Sequence, residues 1–316
     1  MPPSSNSVSA GPASYGITFT PTIHTKAEGP TLPESNPLRS PFVAVVTGAG
    51  KGLGRVISMD YVRAGVSGIA IAARTATDLE SLEAELKKAN PSVKVLVKTC
   101  DTTKEEDVKA LADAVKAEFG RLDVVVANAG VISNYLIDSD GKRQLPVGVM
   151  EDDDFKRVID INLMGSVYTA KHFVPLLADT KDGPQAFVQI TSLASHSIAS
   201  AATPIAYNVS KIAVNRLVEH IHNDHNARLG VCAYSIHPGA VVTAQTELHS
   251  NDKGDMWDQI LTDDIGLVGG FLTWLTKEKR DWLSGRYVSV NWDVEQLESM
   301  REEIVKEDKL KFRMAV

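Results

Sequence analysis

Ser192, Tyr207 and Lys211 lie within one stretch, residues 187–213, and their side chains are of types that can transfer protons. Tyr207 and Lys211 are four positions apart, so on a helix they share a face, where an ammonium favours the ionised form of a phenol. Bringing a phenol from its ordinary pKa of about 10 to near 7 needs roughly 4 kcal/mol of preferential stabilisation of the phenolate. Such pairs also occur on exposed helices by chance, so the surrounding elements must decide between the two interpretations.

A glycine cluster upstream of this stretch has the context of a phosphate-binding loop. It contains Gly48, Gly52 and Gly54, follows the apolar run 43–47 and precedes a segment of helical periodicity that continues through Tyr61. Glycines permit a tight turn and a close backbone approach to a pyrophosphate, whose charge the N–H groups at a helix N-terminus can bind. The order of strand, glycine turn and helix therefore predicts a dinucleotide site.

The rest of the chain alternates apolar strands with amphipathic helices. Strands are predicted at 43–47, 69–73, 93–99, 122–127, from 187 onward, at 231–235 and at 286–290; helices are predicted through Tyr61 and at 79–89, 105–119, 152–177, 204–228, 265–276 and 293–306. This pattern predicts a single α/β domain with a Rossmann-type, doubly wound parallel sheet of about seven strands and helices on both faces. Ligands of such sheets gather where the strands end, and Gly48, Ala73, Asp101 and Asn128 lie at or just after predicted strand ends.

Three regions are predicted from composition. Residues 1–40 are rich in Pro and Ser and form a tail or an extended arm, with disorder in at least the first dozen; residues 41–293 form the α/β domain; residues 294–316 form a charged C-terminal helix and tail. Residues 134–150 are predicted to be a loop, and residues 244–262, which include Met256 and Trp257, a loop that closes over a substrate.

Composition argues against several classes of function. The 316 residues carry a net charge of -7 with a pI near 5.6, which argues against nucleic acid or an anionic membrane as a partner. No apolar run is long enough to span a membrane, and the N-terminus lacks the features of a secretory signal, so we expect a cytoplasmic protein. Cys100 and Cys232 are expected to be free core thiols. The sequence has no paired His or Cys ligands, so we do not expect a metal site.

Taken together, these motifs resemble those of the short-chain dehydrogenase/reductase family, in particular fungal members with an N-terminal extension. The resemblance covers about residues 43–292 and rests on motifs in the expected order. They are a TGxxxGxG element at 47–54, an NAG at 128–130, a helical asparagine at Asn162, a serine at Ser192, a YxxxK at Tyr207 and Lys211, and a PG turn at Pro238 and Gly239 followed by Thr243.

The resemblance implies roles for these residues. Tyr207 would be the general acid in reduction or the base in oxidation, Ser192 would orient the substrate oxygen, and Asn162 would hold a water that links Lys211 to solvent. Asp101 would meet the adenine amino group and Thr243 the nicotinamide carboxamide. The implied cofactor contacts are Gly48, Lys51, Gly52, Leu53, Gly54, Arg74, Asp101, Asn128, Ala129, Gly130, Tyr207, Lys211, Pro238, Gly239, Val241 and Thr243.

The end of the second predicted strand bears on the choice of cofactor. An Asp or Glu there would bind the ribose hydroxyls and repel a 2′-phosphate, but Ala73 occupies the position, with Arg74 beside it and Lys51 in the glycine loop. Because two cations suit the additional phosphate, we expect NADP(H).

Two stretches depart from the family pattern. The segment between Ser192 and Tyr207 is slightly long and contains His196, which we expect to line the entrance of the pocket rather than to assist catalysis. Residues 291–293, Asn-Trp-Asp, replace a glycine-rich turn, which leaves the packing of the C-terminal tail open.

The leading hypothesis is an NADPH-dependent oxidoreductase that interconverts a ketone or aldehyde and an alcohol, acting on a small molecule. By resemblance, the hydride would leave from the pro-S face, and the protein would be a homodimer or homotetramer formed through the helices at 152–177 and 204–228. The alternatives are a dinucleotide-binding scaffold or sensor without turnover, and an epimerase or dehydratase that uses the same site.

Overall fold

Seven parallel strands form the central sheet of this computed structural model, which describes residues 13–200, 202–249 and 256–314. The sheet strands are β1 (Val43–Thr47), β2 (Gly68–Ala73), β3 (Lys94–Thr99), β4 (Val124–Ala127), β7 (Ala186–Ile190), β8 (Cys232–His237) and β9 (Arg286–Ser289), and a separate antiparallel hairpin consists of β5 (Leu136–Ile137) and β6 (Arg143–Gln144). The sheet order is β3-β2-β1-β4-β7-β8-β9. The chain thus winds outward from β1 in both directions, as predicted for a doubly wound sheet.

Helices connect the strands and cover both faces of the sheet. They are α1 (Gly52–Arg63), α2 (Ala76–Ala89), α3 (Glu105–Phe119), α4 (Phe155–Ile159), α5 (Gly165–Asp179), α6 (Ile205–Ile221), α7 (Ala227–Leu229), α8 (Met256–Ile260), α9 (Gly266–Thr276), α10 (Val294–Ser299) and α11 (Arg301–Lys306). Two clusters of buried apolar residues, one on each side of the sheet, form the core. The predicted single α/β domain is confirmed.

Three predicted helices are interrupted in the structure. The first contains a wide π turn at Asp160–Met164 between α4 and α5, and the second contains another at His222–Asn226 between α6 and α7. The last breaks at Met300, between α10 and α11. The local periodicity of the sequence does not indicate these breaks, because contacts with other segments decide where a helix is interrupted. π turns of this kind are frequent at functional sites.

The described part of the N-terminal region, which we call the arm (residues 16–38), packs along the domain. Thr31 and Asn36 are buried, and residues 29–35 contact α9. Two consecutive glycines of α9 make room for its neighbours. A Cβ on Gly270 would lie 2.1 Å from the carbonyl oxygen of Thr31, and one on Gly269 would lie 2.2 Å from the Asp60 carboxylate of α1. The expected disorder of the first dozen residues lies outside the described residues.

Residues 291–293, where the chain departs from the family pattern, bind the arm. Asn291 Nδ2 donates to His24 O at 2.9 Å and to Asp263 at 2.9 Å, and Trp292 Nε1 donates to Gly16 O at 2.9 Å. A short antiparallel bridge pairs Ile23 with Trp292. The residues that replace the glycine-rich turn therefore form the seat of the arm, while the division of the chain at residues 40 and 293 stays a prediction.

His24 adds an ion pair to this seat. Its ring lies between Asp293, 2.8 Å from Nε2, and Glu28, 2.8 Å from Nδ1. Burial alone lowers the pKa of His24, but hydrogen bonds and charges from the two carboxylates outweigh it, so the pKa is raised above 6.5.

We predict that the arm is held more tightly at pH 6 than at pH 8. Because the folded-state pKa of His24 is raised, its stabilising effect is fully present below about 6.5 and is lost as the pH rises through the folded value. Hydrogen exchange of amides in residues 16–38 should be faster at pH 8 than the intrinsic pH effect accounts for. The excess should disappear in His24→Gln and persist in His220→Gln, which changes an exposed histidine of α6. Equal protection at both pH values in the wild type would contradict the prediction.

Candidate active site

The loop between β1 and α1 is shaped by close backbone contacts. Gly48 has a φ of +66°, and a Cβ there would lie 2.9 Å from Ala129 Cα. A Cβ on Gly54 would lie 2.3 Å from Gly48 O and 2.7 Å from Asn128 Nδ2. Only glycine fits at these positions, and the N-terminus of the twelve-residue helix α1 faces the space that the loop encloses. This cradle fits the pyrophosphate of a dinucleotide.

Asn128 joins the loop to the neighbouring strand end. Its Nδ2 donates to Thr47 O at 2.9 Å and to Gly48 O at 3.3 Å, while Thr47 Oγ1 accepts from Asn128 N at 3.1 Å. These bonds cross the point between β1 and β4 where the direction of winding changes. Asn128 thus shapes the loop, in addition to lying at the cavity wall.

One cavity of about 380 Å³ runs along the carboxyl ends of the strands. Among the predicted site residues, those that line it are Gly48, Lys51, Gly52, Leu53, Arg74, Asp101, Asn128, Ala129, Gly130, Tyr207, Lys211, Pro238 and Thr243. The predicted site residues outside this lining are Gly54, Asn162, Ser192, Gly239 and Val241. Gly54 packs against Gly48, Gly239 lies against Asp263, and Val241 is buried and bridged to Asp263. A volume of about 380 Å³ is within the range of small-molecule sites, and the lining comes from the ends of several neighbouring strands.

Asn162 lies in the π turn after α4 and is 1% exposed. Its Oδ1 accepts from Val131 N at 2.8 Å, and its Nδ2 donates to Val131 O and to Ser210 Oγ, both at 2.9 Å. Ser210 Oγ donates in turn to Tyr207 O at 2.8 Å. The amide therefore fixes the segment after β4 against α6, and Ser210 is a member of the site that the motifs did not indicate.

Lys211 is 4% exposed, and its Nζ donates to Ile190 O at 3.0 Å and lies 5.3 Å from the centre of the Tyr207 ring. A Cβ on Gly130 would lie 3.6 Å from this Nζ and 3.3 Å from Asn162 Oδ1, so both polar groups approach the same point of the wall. The ammonium, the phenol and the amide are thus brought together, as the motif spacing predicts.

Burial dominates the charge effects within this pair. Burial raises the pKa of the Tyr207 phenol, and the neighbouring Ser192 hydroxyl lowers it only in part. Burial also lowers the pKa of Lys211 to about 8. In the chain by itself, desolvation thus disfavours the charged form of both residues. Near pH 7 the phenol stays protonated. The interpretation that Lys211, together with the positive nicotinamide of the oxidised cofactor, brings the phenol toward neutrality stays a prediction.

The turn that carries Ser192 is held by its neighbours. Ser192 Oγ accepts from Ala194 N at 3.1 Å, and the backbone N–H of Leu193 donates to His237 Nδ1 at 3.2 Å. Burial lowers the pKa of His237 to about 3, with a smaller contribution from His196, so the acceptor nitrogen stays unprotonated. A neutral imidazole at the end of β8 thereby positions the segment after Ser192.

His196 packs in an aromatic cluster, in contrast to the expectation that it lines the entrance. Its ring lies 4.7 Å from both Tyr287 and Phe312 and 5.5 Å from Tyr15, measured between ring centres. Burial lowers the pKa of this imidazole. The cluster joins the turn after Ser192 to β9 and to both ends of the described chain, which the sequence alone cannot place together.

The end of the cavity beside β2, where the sequence predicts the adenosine to bind, contains charges of both signs. Lys51 Nζ lies 3.4 Å from Asp78, a residue in the first turn of α2 that also lines the cavity. Burial raises the pKa of Asp101, but hydrogen bonds from Thr103 and the charges of Arg74 and Lys104 outweigh it and lower it overall. The sequence analysis missed Asp78. The feature that could have indicated it is its position three residues after Thr75, in the first turn of the helix that follows β2.

The segment after β8 reaches back over the cavity. Thr243 lies near the glycine loop, since a Cβ on Gly52 would be 3.7 Å from its side chain. Gln245 lines the cavity, and its carbonyl oxygen accepts from the Tyr135 hydroxyl at 3.2 Å; that hydroxyl also contacts His249 Nδ1. The predicted closing loop at 244–262 is therefore joined to the loop after β4, although residues 250–255 lie outside the described part.

Other sequence expectations can be placed in the described ranges. Cys100 and Cys232 are buried and free, as predicted. Within the described residues, no helix is long and apolar enough to cross a membrane, and no group of three or more His, Cys, Asp or Glu side chains is arranged to hold a metal ion.

Comparisons with known proteins agree with this geometry. Residues 42–254 match the family described as short chain dehydrogenase. The short chain dehydrogenase pgmD of Aspergillus terreus is 37% identical, over 98% of each chain. Among solved structures, an alcohol dehydrogenase from the archaeon Thermococcus sibiricus, complexed with 5-hydroxy-NADP, matches with a TM-score of 0.60 and 27% identity over 78% of this chain and 95% of its own. A 3-ketoacyl-(acyl-carrier-protein) reductase from Brucella melitensis, complexed with NADH, matches in fold with a TM-score of 0.64 and 20% identity, over 79% of this chain and 96% of its own.

We predict that Lys211→Met stabilises the folded protein at pH 7. The lowered pKa, from 10.5 to about 8, means that burying the ammonium costs on the order of 3 kcal/mol, and leaving Ile190 O unpaired costs about 1 kcal/mol. The free energy of unfolding in urea should therefore rise by about 2 kcal/mol.

The pH dependence of this gain has a definite sign. Between pH 8 and 10.5 the unfolded chain binds more protons at Lys211, so wild-type stability gains on the variant as pH rises and the difference should vanish near pH 10. Lys181→Met, at an exposed lysine, serves as the control and should change little. A destabilised Lys211→Met at pH 7 would show that the lysine is held by attractions stronger than its desolvation.

Proposed function

The chain belongs to the short-chain dehydrogenase/reductase family, whose members bind a nicotinamide cofactor, and on that premise we propose that it is an NADPH-dependent oxidoreductase that reduces a ketone or aldehyde to an alcohol. The observation that carries the proposal is one cavity whose lining includes both the glycine cradle with the cations Lys51 and Arg74 and the pair Tyr207 and Lys211. The glycine cradle would hold the pyrophosphate of a dinucleotide, and Tyr207 and Lys211 would lie on the side of the cavity that receives its nicotinamide. When bound, NADPH supplies the hydride.

The chain's own residues supply the proton and the orientation. Ser192 Oγ already accepts a hydrogen bond from Ala194 N–H, so its own hydrogen can be donated to the carbonyl oxygen of the substrate. Tyr207 Oη then gives its proton to the same oxygen as the alkoxide develops. Lys211, held by Ile190 O, stabilises the negative charge that remains on the phenol oxygen.

The raised pKa of Tyr207 fits the role of a general acid. A phenol whose pKa is raised by burial is protonated at neutral pH and can donate its proton. We therefore assign Tyr207 the role of general acid in the reduction of a ketone or aldehyde.

The charges at the adenosine end support NADPH over NADH. Ala73 ends β2 without a carboxylate, and Arg74 and Lys51 both line the cavity. Lys51 is paired with Asp78 at the surface, where ion pairs are weak, so a phosphate dianion can compete for it. The two solved relatives, one with an NADP derivative and one with NADH, leave this choice to the charges of the chain itself.

We also propose that the protein forms a homodimer or homotetramer through α4–α5 and α6. Phe155 of α4 and Val209 of α6 are large apolar side chains that are 38% and 39% exposed. Covering them by a second copy would remove apolar surface from water.

Tyr207→Phe should lower kcat for ketone reduction by at least about 100-fold, because the general acid is lost. The dissociation constant for NADPH should change by no more than about twofold, since the ring is retained. Stopped-flow or steady-state NADPH absorbance with a ketone panel measures the first, and fluorescence titration the second. Tyr234→Phe, which changes a buried tyrosine of β8, controls for loss of a hydroxyl. Equal rates in wild type and Tyr207→Phe would refute the assignment; tight NADPH binding without turnover of any ketone would favour a sensor.

Arg74→Ala should weaken NADPH binding by about 10- to 100-fold and NADH binding by much less, because a charge-assisted bond to the 2′-phosphate is lost. Asp78→Asn should tighten NADPH binding, since it removes a carboxylate that competes for Lys51. Glu80→Gln, on the same helix and exposed, is the matched control. A wild type that prefers NADH in fluorescence titrations would overturn the proposed cofactor.

A further inference from the structure

Large apolar side chains are exposed mainly around one end of the cavity. Three loops leave the strands at that end; their described residues include 131–154 after β4, 191–200 after β7 and 238–249 after β8. In the first, Ile137, Val149 and Met150 are 65%, 75% and 95% exposed. In the second, Ile198 is fully exposed at 101%, and in the third, Val242 is 54% exposed. We call these five side chains the apolar rim.

The three loops form one continuous structure. Their strands β4, β7 and β8 are adjacent in the sheet, so the loops leave the same edge side by side. The Gly148 N–H donates to Ser200 Oγ at 2.8 Å, which joins the first loop to the second. The Tyr135 hydroxyl donates to Gln245 O at 3.2 Å, which joins the first to the third. Val131, Thr191 and Gln245, one from each loop, line the cavity.

The opposite end of the cavity has a different character. None of the exposed large apolar side chains lies in the loops after β1, β2 and β3, all of whose residues the structure describes. Those loops instead contribute Lys51, Arg74 and Asp101 to the lining. The adenosine end is therefore charged, whereas the end beside Tyr207 opens onto a surface that is apolar on three sides.

We propose that the apolar rim binds the body of the substrate and that the substrate is a ketone or aldehyde with a large apolar portion, extending out of the cavity onto the rim. This inference rests on the proposed reductase function and deepens it. Exposed apolar surface is costly in water and is recovered when an apolar ligand covers it. Since Val131, Thr191 and Gln245 of the same three loops line the cavity, a substrate with its carbonyl oxygen at Tyr207 and Ser192 would have the rim side chains of these loops as apolar surface for its remainder.

The test is a series of methyl ketones from 2-butanone to 2-undecanone, assayed with NADPH. Each buried methylene contributes about 0.8 kcal/mol, so kcat/KM should rise by about threefold to fourfold per added carbon once the chain reaches the rim. The double variant Met150→Gln, Ile198→Asn should lower the ratio of kcat/KM for 2-undecanone to that for 2-butanone by about fivefold or more. The matched control, Met314→Gln, Val305→Asn, changes exposed apolar side chains outside the rim and should leave the ratio unchanged.

The outcomes separate this inference from the reductase proposal. Turnover of short ketones with a flat series would overturn the apolar-substrate inference and leave the reductase proposal standing. If no ketone is reduced, the reductase proposal fails, and calorimetric binding of 2-undecanone to the NADPH-loaded protein decides the inference: binding that is lost in the rim variant supports it, and unchanged or absent binding overturns it. Sedimentation velocity completes the design, because a smaller assembly in the rim variant but not in the control would identify the rim as a contact between copies and overturn the inference.

Discussion

The hydrogen bonds of the Asn128 amide to the end of β1 are the interactions on which the site depends. They hold two neighbouring strand ends together where the winding of the sheet changes direction, and they allow the glycine loop to pass within van der Waals distance of Ala129. The carbonyl oxygens of Thr47 and Gly48, which would otherwise be buried without partners, accept these hydrogen bonds. The crevice at the point where the winding changes direction stays open beside them. The cradle at Gly48 and the segment that leads to Val131 and Asn162 follow from this one junction.

The catalytic end of the crevice is built on a different physical basis. A lysine is held in the protein interior with its Nζ against a backbone carbonyl, next to a phenol that is itself desolvated. The arrangement is electrostatically unfavourable in isolation, because both residues are disfavoured in their charged forms. The fold sustains it through packing and through the bonds of Asn162 and Ser210, whose amide and hydroxyl fix α6 against the segment after β4. Keeping the two proton-carrying groups adjacent therefore lowers the stability of the folded protein.

Much of the fold and of the site could be predicted from the sequence, because the signals are local. The strand ends at Gly48 and Asn128 follow from apolar runs that stop at glycine or a polar residue, and the pairing of Tyr207 with Lys211 follows from helical spacing. The parts that could not be predicted depend on contacts between distant segments. No spacing in the sequence indicates that Ser210 contacts Asn162 or that Asp78 contacts Lys51. The position of His196 depends on the rings of Tyr15 and Phe312, which are far from it in sequence. Motif spacing conveys the proximity of Tyr207 and Lys211 but not their burial, so the directions in which burial shifts their pKa values could not be predicted.

The seat of the arm has a consequence for the order of folding during synthesis. Residues 16–38 precede β1 in the chain, whereas α9 with its paired glycines and the residues Asn291 and Trp292 that bind the arm follow β8. Contacts of residues 33–35 with α1 can form early, but the full set with α9, Asn291 and Trp292 can form only after residue 292 has been synthesised. Complete docking of the arm is therefore a late step, which fastens a segment that precedes β1 to the segment that follows β9.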